Sequence, residues 1–196
     1  MHQSMRIAIV VVLLSSPVFA HAAAKAAKTV TPCQEGAALI DTKYGYNNVK
    51  FDVAPSAIAG ATQVAARDEF NTKRVTAYEV KPTDVSLYGQ QVNAVTYFFF
   101  DNKLFLIRVI TSDLGGMYVV SGFERALGCD LVREEKEGYG TMWSVTAKGA
   151  KASVVAEYFK ASQYSGRESY VKVTFEKNGV RPLVQKAAKE EAQAQF

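Results

Sequence analysis

The stretch that most constrains the fold is residues 92–110, which read VNAVTYFFFDNKLFLIRVI. Its two parts, 92–99 and 104–110, are rich in β-branched and aromatic residues, which favour strands. Asp101 and Asn102 stand between them, and both residue types tolerate the left-handed backbone angles of a tight turn. The pattern predicts an antiparallel hairpin. The side chains expected to share one face are Val95, Tyr97 and Phe99 on the first strand and Phe105, Ile107 and Val109 on the second.

Both faces of this hairpin are apolar, so we expect it to be central, with at least one face covered. Before it, the spacing of Ile58, Ala61 and Phe70 predicts a helix over residues 57–70. A strand is predicted at 74–80, followed by a short extended piece at 84–88.

The order of elements repeats after the hairpin. Apolar residues at helical spacing predict a helix over 118–127, and Gly128 stands where a C-terminal cap glycine belongs. Residues 133–138 are interpreted as a charged turn. Three further strands are predicted, at 141–147, 152–159 and 168–176, and the last one alternates in the way of a strand with one face in water.

These patterns predict an α+β fold, in which helices pack on one face of an antiparallel sheet. Two similar halves, each a helix plus strands, span about 44–111 and 112–182. Either half alone would expose an apolar sheet face, so we expect a single domain over 33–182 with one shared core. Residues 183–196 are interpreted as a polar, Ala-rich tail that can form a frayed helix.

The first residues have the pattern of a secretory signal peptide. Arg6 precedes an apolar run at 7–14, and small residues stand before candidate cleavage points near Ala20 and Ala22. The run is too short to cross the hydrocarbon layer of about 30 Å as a helix, although an uncleaved anchor stays an alternative. We therefore expect residues 1–22 to be removed, residues 23–32 to be a flexible segment, and the protein to be periplasmic or secreted.

Histidine usage limits the chemistry of the predicted domain. The chain has two histidines: His2 lies within the predicted leader, and His21 is either removed with it or becomes the new N-terminus, depending on the cut, so the folded domain has no interior histidine. Without an imidazole, a Ser-His-Asp or Cys-His nucleophile arrangement is excluded, and the commonest ligand for zinc, copper and non-haem iron is missing. We expect no metal or other cofactor and no catalysis. The remaining acid–base candidates are carboxylates, namely Asp68, Glu69, Glu134, Glu135 and Glu137.

The charge and the cysteine content indicate which classes of partner and which cellular compartment to expect. Removal of residues 1–22 lowers the net charge of +4 by one, since only Arg6 is lost, and no basic block indicates nucleic acid. Cys33 and Cys129 form an even pair, which predicts a disulfide in an oxidising compartment. Two buried free thiols are the alternative.

Two stretches are candidate recognition sites. Tyr139, Met142 and Trp143 lie beside Gly138 and Gly140, and Trp and Tyr are enriched in binding hot spots. Tyr164 and Arg167 lie in a predicted hairpin turn that could dock into a partner's cleft. The alternatives are that Trp143 belongs to the core and that the turn is an ordinary solvated one.

Three pieces of the chain carry a resemblance to a known group of proteins. They are Gly45-Tyr46-x-x-Val49-x-Phe51, the strand Val95-x-Tyr97-x-Phe99 with its Asp101 turn, and the set Leu127-Gly128, Trp143 and Glu157-Tyr158. On these the chain resembles small exported, mostly uncharacterised bacterial α+β proteins. More distantly, it is similar to periplasmic helix-on-sheet modules that bind other proteins, including outer-membrane assembly lipoproteins and secreted enzyme inhibitors.

The sequence therefore predicts a non-catalytic binding protein that recognises a protein or a cell-envelope component. One alternative is a secreted inhibitor or immunity-type protein that blocks an enzyme. Another is an envelope hydrolase that uses carboxylates.

Overall fold

The computed structural model describes residues 33–66, 70–112 and 114–194. The predicted signal peptide at 1–22, the segment 23–32 and the candidate acids Asp68 and Glu69 lie outside these residues. None of the helices in the described ranges has both the length and the apolar character needed to span a membrane.

The described residues form three α-helices and eleven strands. The helices are α1 (Gln34–Lys43), α2 (Gly116–Leu127) and α3 (Arg181–Gln193). The strands of the first half are β1 (Gly45–Tyr46), β2 (Val49–Lys50), β3 (Thr62–Val64), β4 (Val75–Val80), β5 (Ser86–Leu87), β6 (Gln90–Phe100) and β7 (Lys103–Thr111). Those of the second half are β8 (Leu131–Lys136), β9 (Gly140–Lys148), β10 (Ala152–Ala161) and β11 (Tyr170–Lys177).

Nine of these strands form one antiparallel sheet. Its order is β3-β4-β6-β7-β11-β10-β9-β8, with β5 paired to β6, while β1 and β2 form a separate hairpin. The two halves meet where β7 pairs with β11, and Val109 lies opposite Val173 at this junction. The predicted α+β class with an antiparallel sheet shared by both halves is confirmed.

The central hairpin is confirmed as β6 and β7. Asp101 and Asn102 have φ angles of 49° and 62°, the left-handed values of the turn type that suits a two-residue hairpin loop. Arg74 Nε donates a hydrogen bond of 2.8 Å to Asp101 Oδ1. This contact with the Arg74 guanidinium holds the pKa of the Asp101 carboxyl below its usual value.

A bulge in β7 overturns the predicted position of Phe105. Phe98 pairs with Leu106 and Phe99 with Leu104, so Phe105 is an extra residue between them. It packs with Phe98 on one face of the sheet, whereas Phe99, Ile107 and Val109 lie on the other. The prediction was wrong because strict alternation assumes an unbroken ladder.

We call the face that carries Phe99 the helix face and the opposite one the open face. Helices α1 and α2 cover the helix face over β9 and β10. Over β7 the same face is covered by the segment 51–58, where the Asp52 N–H donates to the Leu104 carbonyl at 2.9 Å and the Leu104 N–H donates to the Val53 carbonyl at 3.0 Å. The open face is covered only in part, by α3.

Most of the predicted polar tail at 183–196 belongs to helix α3. Val184 and Ala187 are each 2% exposed and pack on the open face with Phe98 and Phe105. Arg181 fixes its first turn through two hydrogen bonds to the Glu176 carboxylate, at 2.8 and 2.7 Å. Because its buried positions are few, the composition of this segment reads as polar although it belongs to the core.

Two other predicted elements were wrong. Residues 57–70 are not a helix in the described part, which contains a 3-10 turn at Pro55–Ala57 and then the strand β3. Ile58 packs on the helix face and Phe70 on the open face, so they do not share a helical stripe. The predicted charged turn at 133–138 is mostly the edge strand β8, where charged side chains discourage pairing with another chain.

Helix α1 was not predicted, and its contacts are mostly tertiary. Gly36 lies against the backbone of Leu127 in α2. The Asp41 carboxylate accepts hydrogen bonds from the N–H groups of Ala150, Lys151 and Ala152, at 2.6, 2.8 and 3.0 Å. These bonds, led by that of Lys151, lower the pKa of Asp41.

The predicted disulfide is present between Cys33 and Cys129, which are 96 residues apart. It joins the start of α1 to the segment that follows α2. Closing a loop of this length restricts the unfolded chain by about 4–5 kcal/mol in the chain-entropy model.

The Asp41 contacts predict a pH-dependent effect of Asp41→Ala. Because the folded-state pKa is lowered, the ionised carboxylate stabilises the fold above the ordinary aspartate pKa of about 3.9, and the effect is lost as the pH falls through the folded-state pKa. In urea denaturation we expect the variant to unfold at lower urea than wild type at pH 7. This gap should close in acid. Asp84→Ala, at an exposed aspartate, is the control. A difference between Asp41→Ala and wild type that does not change with pH would contradict the stabilising role of the ionised Asp41 carboxylate.

The packing of α3 predicts different effects at two adjacent residues. Val184→Ala should lower the free energy of unfolding by about 2 kcal/mol, since it removes buried methyl groups. Leu183→Ala, at a side chain that is 53% exposed, should change it by less than about 0.5 kcal/mol. Equal and negligible effects in urea denaturation would show that this segment does not belong to the core.

Candidate functional site

Two connections meet at one end of the open face. They are the turn between β8 and β9 at 137–139 and the loop between β10 and β11 at 162–169. Strands β9, β10 and β11 are neighbours in the sheet, so their connections at this end lie side by side. The Ser162 N–H joins the two by donating to the Tyr139 carbonyl at 2.8 Å.

A cleft of about 320 Å³ lies between these connections and the sheet. Tyr139, Met142, Phe159 and Tyr170 form its walls and floor, and Lys136, Arg167 and Glu168 lie on its rim. We call this the aromatic cleft. Phe159 is 5% exposed, whereas Tyr139 is 49% exposed, so the cleft has a buried floor and an accessible wall.

The strand register explains why these side chains meet. Phe159 on β10 lies opposite Met142 on β9 and opposite Tyr170 on β11. Directly paired residues in a sheet point to the same face, so the three form one row across three strands. The Phe159 and Tyr170 rings are 5.4 Å apart between centroids.

Arg167 lies across the mouth of the cleft. Its guanidinium carbon is 4.3 Å from the centre of the Tyr139 ring, a cation–π contact. Among the described residues no carboxylate lies within the 4.0 Å of an ion pair with Arg167. The N–H donors of the Arg167 guanidinium are therefore not engaged by a carboxylate of these residues.

Other charges near the cleft are already paired. Lys136 forms an ion pair with Glu134 on the same strand. Lys172 Nζ lies 2.9 Å from Glu157 Oε2 and 5.6 Å from the Tyr170 ring centre. Arg167 is therefore the rim cation best placed to meet an anionic group of a ligand.

A larger groove of about 700 Å³ continues from the cleft along the open face. It shares Tyr170 and Glu168 with the aromatic cleft. At its floor the Arg108 guanidinium lies 5.0 Å from the Phe98 ring centre. Arg108 stands between Thr96 and Thr174 in the register, so polar side chains surround it on this part of the sheet.

The four predicted recognition residues are brought together in part: Tyr139 lines the aromatic cleft with Arg167, and it also lines a second pocket, of about 530 Å³, with Trp143. Tyr139 and Arg167 come together at the aromatic cleft. Tyr164 is 86% exposed on the adjacent loop and does not line the cleft. Trp143 lies on the helix face, stacked on Tyr158 with ring centres 5.4 Å apart.

Phe159, Tyr170 and Glu168 were not among the predicted site residues. The signal in the sequence is that both are aromatic residues of strands joined by a predicted hairpin loop. Phe159 lies three residues before the loop at 162–169 and Tyr170 directly follows it, so equal spacing from the loop would not have paired them. Their contact depends on the register that the strands adopt.

Two of the candidate carboxylates of the charged segment form surface ion pairs, and the third, Glu137, is exposed in the turn that follows β8. Glu134 pairs with Lys136, and Glu135 pairs with Arg133 and accepts a hydrogen bond of 2.9 Å from Thr141 Oγ1. Within residues 33–66, 70–112 and 114–194, no group of three or more His, Cys, Asp or Glu side chains is placed to hold a metal ion.

Comparison of the chain with models of protein families, with curated proteins and with solved structures gave no match. The resemblance to small exported bacterial proteins therefore stays a prediction.

Proposed function

We propose that this protein is exported and acts without catalysis, by binding a protein or a cell-envelope component at the aromatic cleft. The observation that carries this proposal is the preformed cleft itself, which is lined by the buried Phe159 ring and in which the Arg167 guanidinium lies within cation–π distance of Tyr139. Export rests on the leader pattern at 1–22, and the disulfide between Cys33 and Cys129 accords with an oxidising compartment.

The composition of the cleft supports recognition. Tyrosine and arginine are enriched among the residues that contribute most to binding energy, and Tyr139 and Arg167 are such a pair on an accessible surface. The backbone positions of Met142, Phe159 and Tyr170 are also set by strand pairing, so the cleft is preformed. A preformed site loses less conformational entropy when its ligand binds.

A second candidate, an inhibitor that blocks an enzyme with a protruding loop, is favoured by the exposure of Tyr164. Its loop is ordered by local bonds, since the Ser165 Oγ–H donates to the Ser162 carbonyl at 2.8 Å and the Arg167 N–H donates to Ser165 Oγ at 3.2 Å. An ordered, protruding loop is the form that enzyme inhibitors use. The third candidate, a carboxylate hydrolase, has less support because Glu134 and Glu135 are paired on an exposed edge strand.

The proposal predicts which exposed side chains a partner needs. The protein without its leader, immobilised and exposed to periplasmic extract and to purified cell-wall polymer, should retain a partner above background. Tyr139→Ala and Arg167→Ala should each reduce the retained amount at least tenfold, because they remove the accessible wall and the cation of the cleft. Tyr118→Ala is the matched control, since Tyr118 is 67% exposed but lies on α2.

Retention that depends on Tyr164 alone would support the inhibitor instead. Retention of the same material by wild type and by the Tyr139 and Arg167 variants would contradict the proposal, as would no retention by wild type.

A further inference from the structure

The size of the aromatic cleft limits what it can hold. Ligand pockets in proteins commonly span about 300–1,000 Å³, so the 320 Å³ cleft is at the lower limit. The cleft itself has room for one large side chain and its backbone, so the preceding residues of a polymer would lie outside it, towards the adjoining groove. Its walls are rings and a thioether, which favour a bulky apolar or aromatic group.

The charged residues on the rim of the cleft indicate that the ligand carries a charged group. The Arg167 guanidinium presents a planar fork of N–H donors that matches the two oxygens of a carboxylate. It is held on the Tyr139 ring without an ion-pair partner among the described residues. Glu168, the next residue, lines the same cleft and supplies a carboxylate that can accept an N–H group. The ligand thus needs an apolar group, an anion and a donor close together.

We infer that the aromatic cleft binds the C-terminal residue of a polypeptide partner that ends in a bulky apolar side chain. This inference rests on the proposed binding function and names its ligand. The side chain fills the cleft, the terminal α-carboxylate binds Arg167, and the last peptide N–H donates to Glu168. In an unmodified chain only the C-terminal residue carries a carboxylate and an apolar side chain on the same carbon, which is the spacing that a cleft of this size requires.

The contact is small, so the affinity is modest. One residue and its neighbouring peptide group give a Kd of roughly 0.05–1 mM by the usual binding energy per atom. The carboxylate–guanidinium pair lies at the surface, so salt should weaken binding.

The test uses fluorescein-labelled pentapeptides and fluorescence anisotropy with the protein without its leader. The probe Gly-Ser-Gly-Ala-Phe with a free C-terminus is compared with its C-terminal amide and with Gly-Ser-Gly-Ala-Ala. The amide and the Ala-terminated peptide should each bind at least tenfold more weakly than the free acid ending in Phe.

Protein variants separate the contribution of the charge from that of packing. Arg167→Gln should lower the affinity for the free acid to that for the amide, while leaving the amide's own affinity unchanged. Arg167→Lys should retain part of the preference for the acid, and Tyr118→Ala should bind as wild type does. Arg167 is on an exposed loop, and circular dichroism checks that each variant is folded.

Equal affinity for acid and amide, or no saturable binding of any peptide, would overturn the inference. The capture experiment separates this failure from that of the proposed function. If the peptides fail while retention of a partner still depends on Tyr139 and Arg167, the inference falls and the binding function stands. If retention is also independent of both residues, both fall.

Discussion

The pairing of β7 with β11 is the contact on which the rest of the structure depends. Each half of the chain builds an antiparallel meander, and these strands are the last of their meanders. Val109 and Val173 face each other at the junction and are completely buried. Without this pairing, each meander would expose an apolar edge and half of a hydrophobic face. With it, one wide sheet forms, and α1 and α2 can cover one part of the helix face while residues 51–58 cover another.

The same arrangement leaves an open surface at a defined place. Helix α3 covers the open face near Phe98 and Phe105, at one end of the sheet. The opposite end, where β9, β10 and β11 present Met142, Phe159 and Tyr170, is not covered by a helix of the described residues. The aromatic cleft therefore follows from the topology. Its accessible wall comes from a turn and its cation from a loop, and both are held by the strands that they join.

The sequence predicted the elements whose signals are local. The turn residues Asp101 and Asn102 mark the central hairpin, and Gly128 marks the end of α2, so both elements were predicted near their true bounds. The disulfide was predicted from the even number of cysteines and the oxidising compartment expected from the leader pattern. Helix α1 was missed because it depends on distant contacts, the hydrogen bonds from residues far along the chain to Asp41. Helix α3 was predicted only as a tail that can form a frayed helix, because few of its side chains are buried.

The candidate site was predicted only in part, for a similar reason. Tyr139 and Arg167 were singled out by residue type and by their place in turns, but only the sheet brings them together. Trp143 was singled out on the same grounds and lies on the helix face, because alternation along β9 assigns it to the side of Val145. Phe159 and Tyr170 looked like ordinary strand residues until their register was known. The chemistry of each residue is known from the sequence, whereas the face of the sheet on which its side chain lies depends on how the strands pair.

The central proposal is that this end of the open face is a preformed binding site for a C-terminal apolar residue. Residue-resolved amide hydrogen exchange with and without saturating Gly-Ser-Gly-Ala-Phe tests it most directly, since protection reports local stability at each segment. The structure predicts that the peptide slows exchange in the turn at 137–139, the loop at 162–169 and the adjoining ends of β9 and β11, and leaves α1 and α2 unchanged. Protection confined to the helix face, or absent from the turn and the loop, would contradict it.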